Sequence, residues 1–195
     1  RKCSCRLLLA QAEGDHLSLN VEALFGHPLR DGLYALCAAS HVHVLVDGIG
    51  AVGSCSRMGR RLIKSGAKVA AFFPLRWPWG RMRLNLRNHR KILIVDGQTG
   101  FTGGMNISKR HMLKIGLPAR VEDLHFRITG PVVAEMQQAF VEDWLSATGE
   151  TLAGSDYFPP HNIKGPALAR GIISGPDEDF EKSRWMLLAA FAAAK

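Results

Sequence analysis

The stretch "NHRKILIVDG", residues 88–97, joins four polar residues to four aliphatic ones and ends in an Asp-Gly pair. A short aliphatic run is typical of a buried strand, and Asp96-Gly97 is one of the strongest signals for a hairpin turn. The sequence therefore predicts a strand over residues 87–96 that turns at this pair and returns as "GFTGGMNI" (100–107).

The polar lead-in to this strand contains the residue types that attack on a phosphodiester requires. Because side chains alternate along a strand, His89 and Lys91 are expected on one face at the same edge of the sheet, with Asp96 at the turn. A neutral imidazole serves as nucleophile or proton carrier near pH 7. A lysine beside it neutralises charge that builds on the phosphoryl oxygens. From these residues alone, a strand edge that enters solvent before an ordinary turn stays open as the alternative.

Further polar residues follow on the segments expected to lie beside this strand. Gly103 and Gly104 would let a ligand approach the backbone, and Asn106 would donate to a phosphate oxygen or close a strand-end turn. Asp123 would accept a hydrogen bond from the far nitrogen of the imidazole and fix its tautomer, or else cap a loop. We interpret His125 as a packed strand histidine.

Strands and helices alternate along the 195 residues, which predicts an α/β fold with a mixed β-sheet flanked by helices on both faces. A linker rich in proline and glycine predicts two units, a domain over residues 1–158 and the beginning of a second over 159–195. Both ends look cut, so we expect a fragment. The expected strands are 16–25, 41–48, 67–74, 87–96, 100–107, 124–130 and 167–176; helices are expected over 1–13, 27–40, 54–65, from Pro131 onward and over 180–195.

The net charge of +8 is distributed unevenly. Eleven Lys and Arg residues and no Asp or Glu lie between Gly48 and Val95, which favours an anionic partner such as nucleic acid, an acidic membrane or a phosphate ester. A solvated basic face remains the alternative. Trp77 and Trp79 would serve as anchors at the headgroup level of a membrane, or would pack their loop against the domain.

Two features that would indicate other chemistry are weak. The segment "GIGAVG" (48–53) has the spacing of a dinucleotide-binding loop, but no acidic residue for the ribose follows the next strand, so we favour a glycine-rich turn. The four cysteines show no pairing of the CxxC type and no zinc spacing, so no metal site is predicted. They are Cys3, Cys5, Cys37 and Cys55.

The spacing His89-x-Lys91-x4-Asp96, followed by Gly-Gly-x-Asn106, resembles the HKD motif of the phospholipase D superfamily. The resemblance is closest to the bacterial cardiolipin synthases, through the motif region at about residues 84–111 and "EDLHFRITGPVV" (122–133). One departure is a valine directly before the Glu-Asp pair, where a tryptophan is expected.

The resemblance implies a phosphatidyl transfer without metal or cofactor, at a pocket between two similar lobes. One histidine forms a phosphatidyl-histidine intermediate and the other protonates the leaving alcohol, so two phosphatidylglycerol molecules give cardiolipin and glycerol. It also implies that His89 is nucleophile or acid, that Lys91 and Asn106 hold phosphate, and that Asp96 completes the catalytic motif. The implied partners are phosphatidylglycerol, an anionic membrane surface and a second lobe of the same chain, with no nucleic acid. The implied location is the cytoplasmic side of a bacterial cell membrane.

Two rival functions carry the same motif. The first is a phosphodiesterase or nuclease that works as a homodimer with one motif per chain, for which the positive charge is equally suited. The second is a non-catalytic remnant that binds anionic lipid. Residues 166–195, which resemble the start of a second lobe, disfavour the first, and the intact motif disfavours the second.

Overall fold

The computed structural model describes residues 6–10, 41–47, 59–72, 89–104, 123–162, 167–173 and 181–194, with the backbone alone for 6–10 and 47. These residues form six strands and three helices. The strands are β1 (Arg6–Ala10), β2 (His41–Asp47), β3 (Lys68–Phe72), β4 (Ile92–Val95), β5 (Thr99–Gly103) and β6 (His125–Thr129), and the helices are α1 (Arg60–Lys64), α2 (Val132–Thr148) and α3 (Lys182–Ala193).

The six strands form one mixed sheet in the order β3-β2-β1-β4-β5-β6. The first three strands are parallel to one another, whereas β4 runs antiparallel to β1, and β5 and β6 continue the antiparallel part. The start of β4 therefore lies at the carboxyl ends of the parallel strands, the edge of an α/β sheet where ligands generally bind.

The hydrophobic core lies between the sheet and α2. Leu45, Ile94, Val133, Phe140 and Trp144 all belong to it. With Met136, which also belongs to the core, the members on the helix recur at three- and four-residue intervals, so one stripe of α2 is buried against the sheet. The helix begins after the proline, as predicted, and ends where a glycine adopts a left-handed φ of 76°.

The opposite face of the sheet is also apolar and covered. Val42, Val44, Leu93 and Phe101, which have the opposite parity to the α2 contacts, are buried. Helix α1 contacts β3 and buries its Leu62. The prediction of a mixed sheet with helices on both faces is thus confirmed.

Three predicted elements differ from the structure. The expected helix over 1–13 is wrong where the chain is described, because Arg6–Ala10 forms a central strand. A short apolar run fits a buried strand or a buried helix equally well, and here pairing on both sides by β2 and β4 decides. The strand predicted over 87–96 begins only at Ile92. The strand predicted over 167–176 is absent from 167–173, where the Gly171 amide donates to the Glu135 carboxylate of α2 instead.

Helix α3 differs from the others because its side chains are not buried against the domain. Trp185, Leu187 and Phe191 are all exposed. No helix among the described residues is long and apolar enough to cross a membrane. Several predictions lie outside the described residues: the strand over 16–25, the helix over 27–40, the glycine-rich segment 48–53, the four cysteines, Trp77, Trp79 and Asn106.

Candidate active site

Three segments with chemically useful residues meet at one edge of the sheet, which we call the site edge. They are the lead-in to β4 (His89–Lys91), the end of β5 (Gly103–Gly104) and the start of β6 (Asp123–His125). The pairing of Ile92 with Thr102, and of Gly103 with His125, puts these segments side by side. Neighbouring strands are about 4.8 Å apart, so the three segments lie within reach of one small ligand.

The lead-in to β4 is held by its own lysine. Lys91 Nζ donates a hydrogen bond of 2.8 Å to the carbonyl oxygen of His89, and the histidine is exposed. Because β4 begins one residue later, the alternation of a regular strand does not apply to these two residues. Their proximity comes instead from this side-chain hydrogen bond, which puts the ammonium beside the backbone of the histidine.

The glycines at the end of β5 are required by close packing. A Cβ on Gly104 would collide with the carboxylate of Asp123, and one on Gly103 would lie 2.7 Å from the Cα of His125. The amide of Gly104 donates to the carbonyl of Leu124 at 3.0 Å, which continues the ladder one residue beyond β5. The glycine pair therefore lets a carboxylate lie directly against the backbone at the site edge.

Asp123 lies at the site edge, but its hydrogen bond is local. Its Oδ1 accepts from the amide of Leu124 at 2.7 Å, and within the described ranges no bond joins it to His89. The carboxylate thus caps the start of β6, one of the two roles open for it. Its predicted bond to the imidazole of His89 remains a prediction.

His125 is the other titratable group beside Asp123. Burial lowers its pKa from the usual 6.5, while the negative charge of Asp123 acts in the opposite direction. Its Nδ1 lies 2.8 Å from where a Cβ of Gly103 would be, so the ring covers that glycine. His125 lies on a strand, as predicted, but its side chain is exposed, so the interpretation of a packed histidine is wrong.

Asp96 is not at the site edge. It lies beyond the other end of β4, at a turn in which the amide of Gln98 donates to the carbonyl of Val95 at 3.0 Å. Both central residues have left-handed φ angles, 52° for Asp96 and 63° for Gly97, as the Asp-Gly signal predicted. The sequence grouped Asp96 with His89 and Lys91 as catalytic, whereas the strand β4 lies between them and puts Asp96 roughly 16 Å from Lys91 along the chain.

The turn is covered by the segment that follows α2. A Cβ on Gly97 would lie 2.5 Å from Pro159 Cδ and 2.8 Å from the carbonyl oxygen of Tyr157. Gln98 Nε2 also donates to the carbonyl of Pro160 at 3.1 Å. We call this end of β4, Asp96–Gln98 with residues 157–160, the turn edge.

An ion pair next to the site was not found from the sequence. Arg90 Nη1 lies 2.5 and 2.6 Å from the two carboxylate oxygens of Asp143 on α2. The sequence contained one signal for it, because Asp143 lies on the buried stripe of the helix, three residues after Phe140. A carboxylate at a core position indicates a buried cationic partner.

Asn106, the last residue of the predicted phosphate site, lies outside the described residues. Across the described part of the chain, no three His, Cys, Asp or Glu side chains come together as a metal would require.

Comparison with known families agrees with this arrangement. A family model described as "Cardiolipin synthase, PLD-like domain" matches residues 7–144, which include nearly all of the sheet and most of α2. The chain belongs to the cardiolipin synthase family of phospholipase D-like domains.

Individual cardiolipin synthases support the assignment. The chain is 36% identical over 156 residues to the cardiolipin synthase of Staphylococcus aureus strain Mu50, a match that covers 79% of this chain and 32% of the relative. It is 32% identical over 157 residues to the enzyme of Alkalihalophilus pseudofirmus, which covers 80% of this chain and 31% of the relative. The chain thus spans about a third of the length of the curated cardiolipin synthases it matches.

A solved structure is also similar. The phospholipase D family member Nuc from Salmonella typhimurium superposes with a TM-score of 0.48 at 20% identity, over 75% of this chain and 80% of that chain.

Proposed function

We propose that the intact protein containing this cardiolipin synthase-family domain transfers a phosphatidyl group from one phosphatidylglycerol to another, giving cardiolipin and glycerol. The observation that carries the proposal is the meeting of His89, Lys91 and the close-packed glycines at one edge of the sheet. Relatives named cardiolipin synthase, at 32% and 36% identity, support the choice of phospholipid over other phosphodiesters.

The chemistry has two balanced steps. In the first, an imidazole nitrogen attacks phosphorus, the P–O bond to the glycerol headgroup breaks, and an acid on the opposite side protonates the departing alkoxide. In the second, a hydroxyl of another phosphatidylglycerol gives its proton to the group that acted as the acid in the first step and attacks phosphorus, and the P–N bond breaks. His89 is either the nucleophile or the acid, and Lys91 and Asn106 stabilise the phosphoryl oxygens.

One imidazole cannot occupy both sides of phosphorus, so a second acid-base group is needed, and the resemblance to phospholipase D implies that it is a second histidine. We propose that residues 1–158 form the first lobe and that 159–195 contain the linker and the beginning of a second lobe. The exposed apolar side chains of Trp185, Leu187 and Phe191 support this division, because a helix with such residues normally packs against further protein.

An anionic bilayer is the proposed working surface, on the cytoplasmic side of a bacterial cell membrane. Helix α1 supports this with three exposed cationic side chains, Arg60, Arg61 and Lys64. Basic residues near an anionic surface each add about 1 kcal/mol of attraction.

The test is phosphatidyl transfer in the intact protein, measured with headgroup-labelled phosphatidylglycerol in vesicles. We expect His89→Ala to reduce the release of glycerol by at least about 10³-fold, because the nucleophile or the acid is lost. His41→Ala is the matched control, since His41 is exposed but lies at the opposite edge of the sheet, where β2 begins. Wild-type turnover by His89→Ala would contradict the proposal.

The homodimeric phosphodiesterase or nuclease is the alternative to which the net charge of +8 is also suited. The same preparation separates the two. Cleavage of DNA by a defined dimer of this chain, with no cardiolipin formed, would replace the proposed function by that alternative.

A further inference from the structure

The arginine between His89 and Lys91 is held by a helix more than fifty residues away. Arg90 Nη1 contacts both oxygens of Asp143 at 2.5 and 2.6 Å. The aspartate is 8% exposed and the arginine side chain 24%, so the ion pair is largely shielded from water. Charge-assisted hydrogen bonds in such surroundings are strong and only weakly screened by salt.

The position of Asp143 is fixed because α2 packs tightly against the sheet. Asp143 lies beside Trp144 and three residues after Phe140, two of the most deeply buried side chains in the core. Taking a carboxylate out of water costs several kcal/mol, so a buried ion pair adds little to stability compared with an apolar pair of similar volume. The pair therefore calls for an explanation other than stability.

Asp143 binds Arg90, and the residues on either side of Arg90, His89 and Lys91, would carry out the chemistry. Arg90 lies two residues before Ile92, and Ile92 and Ile94 of β4 pack into the core beneath α2. His89 and Lys91 are the direct neighbours of Arg90 in the chain. Fixing the arginine on α2 thus fixes the backbone on both of its sides, and the hydrogen bond from Lys91 to the His89 carbonyl closes the same short segment.

We propose that Arg90 and Asp143 are positioning residues for the phosphatidyl transfer. Their ion pair anchors residues 89–91 on α2, so that the imidazole and the ammonium are directed at the same phosphate. This inference rests on the proposed function. A displacement of about 1 Å in a reacting group costs on the order of 10²-fold in rate, which sets the size of effect to expect.

The experiment compares Asp143→Asn and Arg90→Ala with wild type in the intact protein. Asp143→Asn keeps the shape and one acceptor oxygen but removes the charge. We expect kcat to fall about 30- to 100-fold in each variant, with KM for phosphatidylglycerol changed less than about threefold, because the substrate contacts remain. The double variant should lose no more than either single one, since both remove one interaction.

Glu142→Gln is the matched control. It makes the same change of charge one residue away on α2, at an exposed side chain bonded to Gln138. Circular dichroism at the assay temperature identifies variants that are folded. Should Asp143→Asn unfold, Arg90→Lys keeps the charge, loses the fixed fork of donors, and is expected to lower kcat about 3- to 10-fold.

A second readout does not depend on catalysis. In wild type and Glu142→Gln, the backbone amide of Lys91 should give the heteronuclear NMR relaxation of a rigid residue, whereas in Asp143→Asn it should become mobile on the ps–ns scale. If wild type makes no cardiolipin but this contrast is seen, the proposed function fails and the anchoring stands. A folded Asp143→Asn with kcat within twofold of wild type, or with a rigid Lys91 amide, would overturn the inference.

Discussion

The two ends of β4 differ in almost every respect. At the site edge, His89 is exposed, a lysine folds back onto its carbonyl, and an arginine ties the segment to α2. At the turn edge, Asp96 and Gly97 adopt left-handed conformations, and Gly97 is buried against Tyr157 and Pro159. One end presents functional groups at the carboxyl edge of the parallel strands, and the other holds the chain together.

The residues of the HKD motif are close together in sequence but lie at two different ends of β4. His89, Lys91 and Asp96 lie within eight residues, and the resemblance assigned all three to catalysis. A four-residue strand between Lys91 and Asp96 puts the aspartate at the wrong end of β4 for contact with a phosphate at the site edge. We therefore propose that the first two residues do chemistry and that Asp96 serves the turn.

The largest effect after that of His89 is expected for Lys91. Lys91→Ala in the intact protein should lower kcat about 10²- to 10³-fold, since a fixed positive charge that stabilises the transition state is lost. Lys68→Ala removes an exposed lysine at the start of β3, at the opposite end of the parallel strands, and is the control. An equal, small loss in both variants would mean that Lys91 contributes only to surface charge, and the contrast between the ends of β4 would be broken.

Gly104 tests whether the site edge needs its close packing. In Gly104→Ala the new methyl group collides with the carboxylate of Asp123, which must move. We expect activity to fall about 10- to 100-fold with little change in melting temperature, because the collision is at an exposed loop. Gly59→Ala, whose nearest neighbour would be 3.9 Å away, is the control. Unchanged activity in Gly104→Ala would show that Asp123 has no part in the site.

Gly97 tests the turn edge in the complementary way. Gly97→Ala combines a left-handed φ with a collision against Pro159 and the Tyr157 carbonyl, so we expect a loss of about 2–4 kcal/mol in unfolding free energy. Gly149→Ala has a φ of 76° and open space around it, so it should lose only about 1–2 kcal/mol. Chemical denaturation measures both. Equal losses of unfolding free energy in the two variants would mean that residues 157–160 can move away from the new methyl group at no cost, and that the turn edge is not tightly covered.

The smallest effect concerns pH. Burial lowers the pKa of His125 below its usual 6.5, so just below pH 6.5 the unfolded chain binds more protons than the folded one. The free energy of unfolding is therefore not reduced by His125 above pH 6.5. It falls as the pH decreases from 6.5 towards the lowered pKa of the folded state. Melting temperatures between pH 7.5 and 5 should show a shallower decline for His125→Gln than for wild type. Parallel curves would remove His125 as a titrating group of the site edge.

Much of the fold followed from local patterns. The Asp-Gly pair predicted the β4–β5 hairpin, and the apolar stripe after Pro131 predicted α2, because both depend on residues close together in sequence. The strand at residues 6–10 was misassigned because five residues carry too little periodicity, and its identity depends on pairing with β2 and β4.

The site was predicted only in part, for a similar reason. The sequence placed His89, Lys91, Gly103, Gly104 and Asp123 together, and the strand register brings their segments to one edge. The motif resemblance grouped Asp96 with them, although the Asp-Gly signal already placed Asp96 at the turn. The sequence did not indicate the contact of Arg90 with Asp143, because a pair 53 residues apart depends on how α2 crosses the sheet.

The most direct test of the division of β4 is the kcat of Asp96→Asn for phosphatidyl transfer in the intact protein. Asparagine tolerates the left-handed conformation, so this variant removes the charge and leaves the turn largely intact. We predict a kcat within about threefold of wild type, with the same pH profile, whereas His89→Ala loses at least about 10³-fold. A loss in Asp96→Asn as large as that in His89→Ala, at an unchanged melting temperature, would show that Asp96 takes part in the chemistry and would contradict the account.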